Sequence, residues 1–364
     1  MWAKFVQFLT TPPRQTALEL SPHSSMSRVV KIGPYSISPP LIAAPMAGVT
    51  DVVFRRFAIQ FGAGAAIGEM LTSDTGLWDS RKTQWRLAHH REAGVRWIQI
   101  VGAEPESMAR AARANVSLGA QIIDINMGCP AKKVCRKAAG SALMAEPDKA
   151  ARIIEAVVNA VDVPVTVKMR TGPTRDQKNA RHIAKLAEQA GVAAITIHGR
   201  TRADRFQGEA EYDTIAEVVS SVATPVIANG DITSPEKAKF VLDYTRADAI
   251  MIGRAAQGQP WLFAQIADAL NNKTPATFCQ KSRWQIMAEY VNALHQFYGP
   301  FMGVRIARKH MTSFLLKESN GAALKKAFNQ IETASQQRQF ILHQLEQIDS
   351  ETSEFSQHSV MTGS

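Results

Sequence analysis

Between Ile32 and Leu270 the chain alternates short apolar runs with longer amphipathic ones. The short runs are Leu41–Met46, Ala65–Met70, Trp97–Val101, Ile122–Asn126, Val163–Met169, Ala193–His198, Pro225–Asn229 and Ala249–Ile252. They are mostly apolar and often β-branched, the pattern of strands covered on both faces. The longer runs include Pro105–Leu118, Pro147–Val161, Gln177–Ala190 and Pro235–Leu242, with apolar residues at helical spacing. Proline at the first turn suits a helix start, and Gly119 and Gly191 fall where helices should stop. Strand followed by helix, repeated through eight strands, predicts an α/β fold of the TIM (β/α)8 barrel type. The competing fold is a doubly wound open sheet, which usually carries a glycine-rich phosphate turn after its first strand. Here the first strand runs into Ala-Pro-Met-Ala-Gly (Ala44–Gly48), and no G-x-G-x-x-G follows.

From about Thr277 the strand pattern stops. Ser282–Phe297, Val304–Lys317 and Leu324–Leu345 read as helices, broken at Gly299-Pro300 and Asn320-Gly321. The barrel is therefore expected over 26–272, followed by a C-terminal helical domain over 273–349. Residues 1–25 are expected to be a disordered extension, because Thr10–Ser25 is rich in Pro, Ser and Thr; Met26 is an alternative start. Residues 350–364 are polar and expected to fray.

A barrel displays its chemistry at the carboxyl ends of its strands. Those ends carry Pro45-Met46-Ala47, Glu69-Met70, Gln99, Asn126, Lys168-Met169-Arg170, His198, Asn229-Gly230-Asp231 and Gly253-Arg254. Cys129 lies just beyond Asn126, on a turn made by Gly128 and Pro130. Its place suggests a proton donor or nucleophile; the alternative is a buried, inert thiol. Asn229, Gly230, Asp231, Gly253 and Arg254 follow strands seven and eight, where barrels commonly bind phosphate. The alternative is two ordinary tight turns. Lys168 points at the same cavity as Gln99 and Asn126, and needs an anion or an electron-rich ring beside it. A flavin ring, rich in amide edges, fits those side chains; a Schiff-base lysine is the rival. His198 is a further donor there, or a structural histidine.

Composition narrows the setting. The chain has 364 residues, of which 45% are hydrophobic, enough for a large core. Its three cysteines suit a reducing, cytoplasmic location, and the six-residue spacing of Cys129 and Cys135 matches no usual zinc pattern, so no metal is expected. No apolar run reaches membrane-spanning length, so no membrane partner is expected. The net charge of +10 and pI of about 9.6 point to a polyanionic partner, most simply nucleic acid, although basic proteins need not bind one. Arg305, Arg308 and Lys309 share one helical face, as a nucleic-acid grip or as an ordinary solvated surface.

The motifs Ala43–Asp51, Asp124–Lys133, Val167–Arg170, Thr196–Arg202, Ala228–Ile232 and Arg305–His310 together resemble the tRNA-dihydrouridine synthases, most of all the bacterial B type. The resemblance covers roughly Ile32 to Leu345. It implies an FMN-dependent oxidoreductase that reduces the C5–C6 bond of particular uridines in tRNA, in the D-loop, with NADPH as electron donor. It implies that Pro45, Met46, Ala47, Gln99 and Lys168 hold the flavin ring, with His198 nearby. It assigns Asn229, Gly230, Asp231, Gly253 and Arg254 to the FMN phosphate end. Cys129 would be the proton donor, and Asn126 and Arg170 would lie near the uracil. The basic helical domain, with Arg305, Arg308 and Lys309, would grip tRNA. A monomer is expected. Cys135 and the extension over residues 1–25 depart from the family pattern. The rivals are an FMN barrel acting on a free base, which would need neither the helical tail nor the charge, and a non-catalytic RNA-binding barrel, which would not need Cys129.

Overall fold

A computed structural model of the chain describes residues 29–87 and 94–361. The expected extension over 1–25 lies outside the described residues. Strands β1 (Val30–Ile32) and β2 (Tyr35–Ile37) form an antiparallel hairpin. Then come β3 (Leu41–Ala43), β4 (Ala65–Ala66), β5 (Leu71–Thr72), β6 (Trp97–Val101), β7 (Ile122–Met127), β8 (Val165–Arg170), β9 (Ala194–His198), β10 (Val226–Asn229) and β11 (Ala249–Ile252). These nine pair in parallel in the order β4-β3-β11-β10-β9-β8-β7-β6-β5.

Ile67 closes the ring. Its N–H donates to the Ala43 carbonyl at 3.0 Å, while the next N–H, of Gly68, donates to the Trp97 carbonyl at 3.0 Å. Ile67 also bridges Trp97 in parallel. β4 and β5 are thus two parts of one stave, which starts at the expected Ala65 but runs past the expected end at Met70 to Thr72, and nine ladder segments make the eight staves of a (β/α)8 barrel. The first stave ends at Ala43, before the expected Met46, because Pro45 has no N–H for a ladder and the Met46 N–H turns to Thr50 Oγ1 at 2.8 Å.

Twelve α-helices lie among the described residues: α1 (Val52–Gln60), α2 (Arg81–Arg86), α3 (Pro105–Ser117), α4 (Lys132–Cys135), α5 (Pro147–Val158), α6 (Ala180–Gln189), α7 (Asp213–Val219), α8 (Pro235–Thr245), α9 (Leu262–Leu270), α10 (Gln280–Leu315), α11 (Gly321–Gln330) and α12 (Ala334–Met361). Pro105, Pro147 and Pro235 each stand in the first turn of their helix. No helix among the described residues is long and apolar enough to cross a membrane.

The period of two along each strand splits its residues between two cores. Ile98, Ile100, Ile123, Ile125, Val165 and Val167 join the outer layer against the helices. Ile42, Ile67, Trp97, Ile122 and Ile227 join Val30, Ile32 and Ile37 of the hairpin in a second cluster, which fills the barrel at its amino end. Each such buried aliphatic side chain contributes about 1.5–3 kcal/mol, so the hairpin is a plug rather than an ornament. One step further along the same inward rows the residues turn polar: Gln99 on β6, Asp124 and Asn126 on β7, Thr166 and Lys168 on β8, Asn229 on β10. That change of character along the barrel axis sets the site at the carboxyl end.

The C-terminal helices share the outer core. Trp284 and Phe314 pack edge-on at 4.9 Å, and Tyr290 meets Phe57 of α1 at 4.8 Å. Tyr298 donates its O–H at 2.9 Å to Asp51, the N-cap of α1. The expected break at Gly299-Pro300 is a kink within α10: Gly299 takes φ +80°, which favours glycine, and the helix resumes at Pro300. The expected helix Leu324–Leu345 is two helices. Arg308 donates to the Ile331 carbonyl at 2.6 Å at the end of α11, and Thr333 Oγ1 accepts the Gln336 N–H at 3.2 Å to start α12. That break carries no glycine or proline; its one sign in the sequence is the Thr333-x-x-Gln336 spacing of a helix start. The backbone of α12 continues past Ser350, where a tail is expected, to Met361.

Candidate active site

The carboxyl ends of the staves surround a cavity of about 930 Å³. Pro45, Met46, Ala47, Gln99, Asn126, Cys129, Lys168, Arg170, His198, Asn229, Gly230, Asp231, Gly253 and Arg254 all line it. Arg305, Arg308 and Lys309 do not.

Cys129 stands on a turn clamped from several sides. Asn126 Oδ1 accepts the backbone N–H of Gly128 at 3.1 Å and of Cys129 at 2.9 Å. Ser141 Oγ donates to the Cys129 carbonyl at 2.9 Å, and Arg170 Nε donates to the Gly128 carbonyl at 2.7 Å. The Cys135 thiol lies 3.6 Å from that Cys129 carbonyl, and both cysteines are free thiols. Burial pushes the Cys129 thiol above its ordinary value; the Ala131 N–H, Arg170 and Lys168 pull the other way without reversing it. A thiol that keeps its proton suits a donor, whereas a nucleophile requires thiolate.

A polar network fills the barrel beneath this turn. Asn126 Nδ2 donates to Gln99 Oε1 at 2.7 Å, and Gln99 Nε2 donates to Asp124 Oδ2 at 2.7 Å. Lys168 donates to Asn229 Oδ1 at 3.0 Å, and Asn229 in turn donates to the Met251 carbonyl at 2.8 Å. Burial lowers the Lys168 amine to about 8, with Arg170 adding to the effect and Asp124 opposing it. Burial and the charges of Lys168, Arg170, Arg200 and Arg254 hold His198 well below its usual value, so its ring is neutral.

The cationic end of the cavity is built around Asp231. Arg200, 3% exposed, grips both its oxygens at 2.9 and 2.6 Å, and Arg254 reaches Oδ1 at 3.2 Å. Burial raises the Asp231 pKa, but the hydrogen bonds from Arg200 and Ala210 outweigh it and hold the carboxyl below its ordinary range. Asp231 is thus committed to orienting arginines. Gly230 takes φ +125°, and a Cβ there would meet Ala210 at 2.7 Å and the His198 ring at 3.0 Å. Phe206, half exposed at the rim, lies under both Arg254 (5.0 Å) and Arg170 (5.4 Å). Arg170 spends Nε on Gly128 and Nη1 on the Thr201 and Arg205 carbonyls at 2.8 and 2.7 Å, so it braces loops around the cavity.

The basic face of the tail divides. Arg305 is exposed and stacks on exposed Phe301 at 4.4 Å. Arg308 is occupied by Ile331, and Lys309 donates to the Gly48 carbonyl at 2.8 Å, tying α10 to the loop after β3. Lys317, from the residues just after α10, reaches the cavity itself.

Sequence reasoning missed Asp124, Arg200 and Phe206 as members of the site. For Asp124 a signal existed: it stands two residues before Asn126, on the same inward row of β7. Arg200 and Phe206 lie in the loop after β9, where no period applies.

Taken together, these features define a (β/α)8-barrel enzyme whose cavity offers an apolar shelf, an amide-and-ammonium floor and an arginine-rich end. Residues 41–352 match the family model described as Dihydrouridine synthase (Dus). The chain belongs to that family and is an oxidoreductase. The tRNA-dihydrouridine synthase B of Vibrio cholerae serotype O1 is 53% identical over 309 residues, spanning 85% of this chain and 96% of its own. That of Escherichia coli strain K12 is 52% identical over 311 residues, with 85% and 96% covered. Among solved structures, morphinone reductase in complex with tetrahydroNAD superposes with a TM-score of 0.50 at 14% identity, over 71% of this chain and 93% of that one. Histamine dehydrogenase from Rhizobium sp. 4-9 gives 0.52 at 13% identity, over 73% and 50%. These two likenesses speak to the fold alone.

Proposed function

We propose that this chain reduces the C5–C6 double bond of particular uridines in tRNA, with FMN held in the barrel mouth and NADPH as electron donor. The residues fit that cofactor. Pro45, Met46 and Ala47 offer an apolar shelf to a flat ring, and Gln99 and Lys168 offer donors to its amide edge. A Cβ at Gly253 would meet only Ala44 and Met46 at 3.7 and 3.8 Å, so the glycine keeps open space on the cavity side rather than relieving a clash. Asn229, Gly230 and Arg254 are the phosphate end, with Asp231 acting through the arginines it aims. FMN, when bound, supplies hydride chemistry toward an electron-poor double bond.

The observation that carries this reading is Cys129, a protonated thiol on a clamped turn, lining the same cavity as Lys168 and the apolar shelf. It donates a proton to uracil C5 while C6 is reduced. Neutral His198 adds no cation beside Lys168, and Asn126 and Arg170 shape the pocket around the base. The target uridine leaves its stack to reach the barrel mouth. The barrel over 26–272 does the chemistry, and the helical part over 273–349 grips tRNA phosphates, with Arg305 among its exposed cations. tRNA and NADPH together imply a cytoplasmic setting.

The test is a dihydrouridine assay with NADPH on tRNA lacking the modification, and in parallel on free uridine and uracil. Dihydrouridine formed on tRNA and not on the free compounds is the expected result. Product on the free base, or flavin oxidation without product in tRNA, would move the assignment to a small-molecule flavin reductase.

A further inference from the structure

Resting on the reading above, we propose that Asp124 is a positioning residue: it sets the direction of a hydrogen-bond chain that runs from the barrel interior to the turn of Cys129. The chain converges on it from both sides. From below, Trp97 Nε1 donates to Thr166 Oγ1 at 3.1 Å, and Thr166 donates to Asp124 Oδ1 at 2.6 Å. From above, the N–H groups of Gly128 and Cys129 donate to Asn126 Oδ1, Asn126 Nδ2 donates to Gln99 Oε1, and Gln99 Nε2 donates to Asp124 Oδ2.

A carboxamide can sit in either of two orientations, which exchange its donor and its acceptor. Gln99 and Asn126 therefore need something at the ends of the chain to choose for them. The backbone N–H groups at Cys129 can only donate. An ionised carboxylate can only accept. With both ends fixed, neither amide can turn without facing donor to donor. Asp124 is fully buried. Burial raises its pKa to about 6, while Thr166, Gln99 and the Lys168 charge hold it down, so it is acceptor-only at neutral pH.

Two consequences reach the reaction. The turn that carries Cys129 is held in one state. Gln99 and Asn126 also both line the cavity, so the same choice decides whether nitrogen or oxygen faces what binds there. A buried carboxylate is a costly way to fill a barrel. The direction it imposes is what that cost supports.

Asp124→Asn tests this, because the shapes match and only the acceptor-only character is lost. The pair Gln99→Glu with Asp124→Asn restores it one link along: the new amide donates to the new carboxylate, which accepts from Asn126. The readout is the rate of iodoacetamide labelling at Cys129 in the purified full-length protein, followed by peptide mass spectrometry, with exposed Cys279 as internal reference and a thermal melt for each variant. Asp124→Asn is expected to speed labelling at Cys129 on the order of tenfold, the scale of one lost hydrogen bond to a charged group. The double variant is expected to return to within about twofold of the parent. An unchanged rate in folded Asp124→Asn, or a double variant no closer to the parent than the single one, overturns the proposal. Should neither Asp124 variant fold, Gln99→Met decides: faster labelling is the expected result and an unchanged rate overturns it. Labelling needs neither tRNA nor NADPH, so its failure is separate from failure of the dihydrouridine assay.

Discussion

The side-chain oxygen of Asn126 lies 2.9 Å from the backbone nitrogen of Cys129. Asn126 belongs to strand β7 and Cys129 to the turn that follows it, so this bond makes the rigid stave and the reactive thiol one unit. Catalytic groups gain from such support because small errors of placement cost much of the rate.

Cys129→Ala removes the proposed proton donor without disturbing the acceptors beneath it. The variant is expected to keep its yellow flavin and the reduction of that flavin by NADPH. Dihydrouridine formation in tRNA is expected to fall by about 100-fold or more, the usual scale for a lost general acid. Full turnover on tRNA would refute the role.

Asp231→Ala leaves the Arg200 guanidinium, 3% exposed, without its bidentate partner. Breaking such a pair from one side costs about 3 kcal/mol. Denaturant unfolding should show that loss at neutral pH, and a change under about 1 kcal/mol would show the pair to be dispensable. The sign with pH follows from its depressed pKa: the contribution is present above the ordinary carboxylate value and is lost as pH falls through the lowered one.

Arg305→Glu tests the tail more cleanly than a change at Arg308 or Lys309, which are tied to the Ile331 and Gly48 carbonyls. It is expected to weaken tRNA binding and to reduce the salt dependence by about one phosphate contact, leaving NADPH-driven flavin reduction and the melting temperature unchanged. Equal tRNA affinity for parent and variant across a salt series would remove Arg305 from the interface.

The raised pKa of Asp124 carries its own pH signature. Between the unfolded value of 3.8 and the folded value of about 6, the native state holds a proton that the unfolded chain has released. Stability from this group is therefore full below the unfolded value and lost as pH rises through about 6, a change of about 3 kcal/mol. Unfolding of the parent and of Asp124→Asn, compared at pH values on either side of that window, should show the parent losing ground to the variant as pH rises. A constant difference would mean that Asp124 titrates as an ordinary exposed carboxylate.

The barrel could be read along the chain because parallel strands buried on both faces appear as short apolar runs, and those runs recur with helices between them. Trp97–Val101 and Ala249–Ile252 kept their expected bounds. Elsewhere the strand ends moved by a few residues, as at Pro45, where a missing N–H and the bond from Met46 to Thr50 end the ladder early.

Local pattern alone was enough for the order of strands and helices, the cavity at the strand ends and most of its lining, since all of these follow from periodicity and from where a barrel exposes its polar residues. How those residues are employed depended on the folded ring. Arg200 meets Asp231 because β9 and β10 are neighbours, and Asp124 meets Thr166 and Gln99 because β7 lies between β6 and β8. Arg308 and Lys309, alike with Arg305 on one helical face, are separated by which carbonyl each can reach. Such pairings depend on distance and direction across elements far apart in the chain, which residue type and spacing along one strand or helix do not encode.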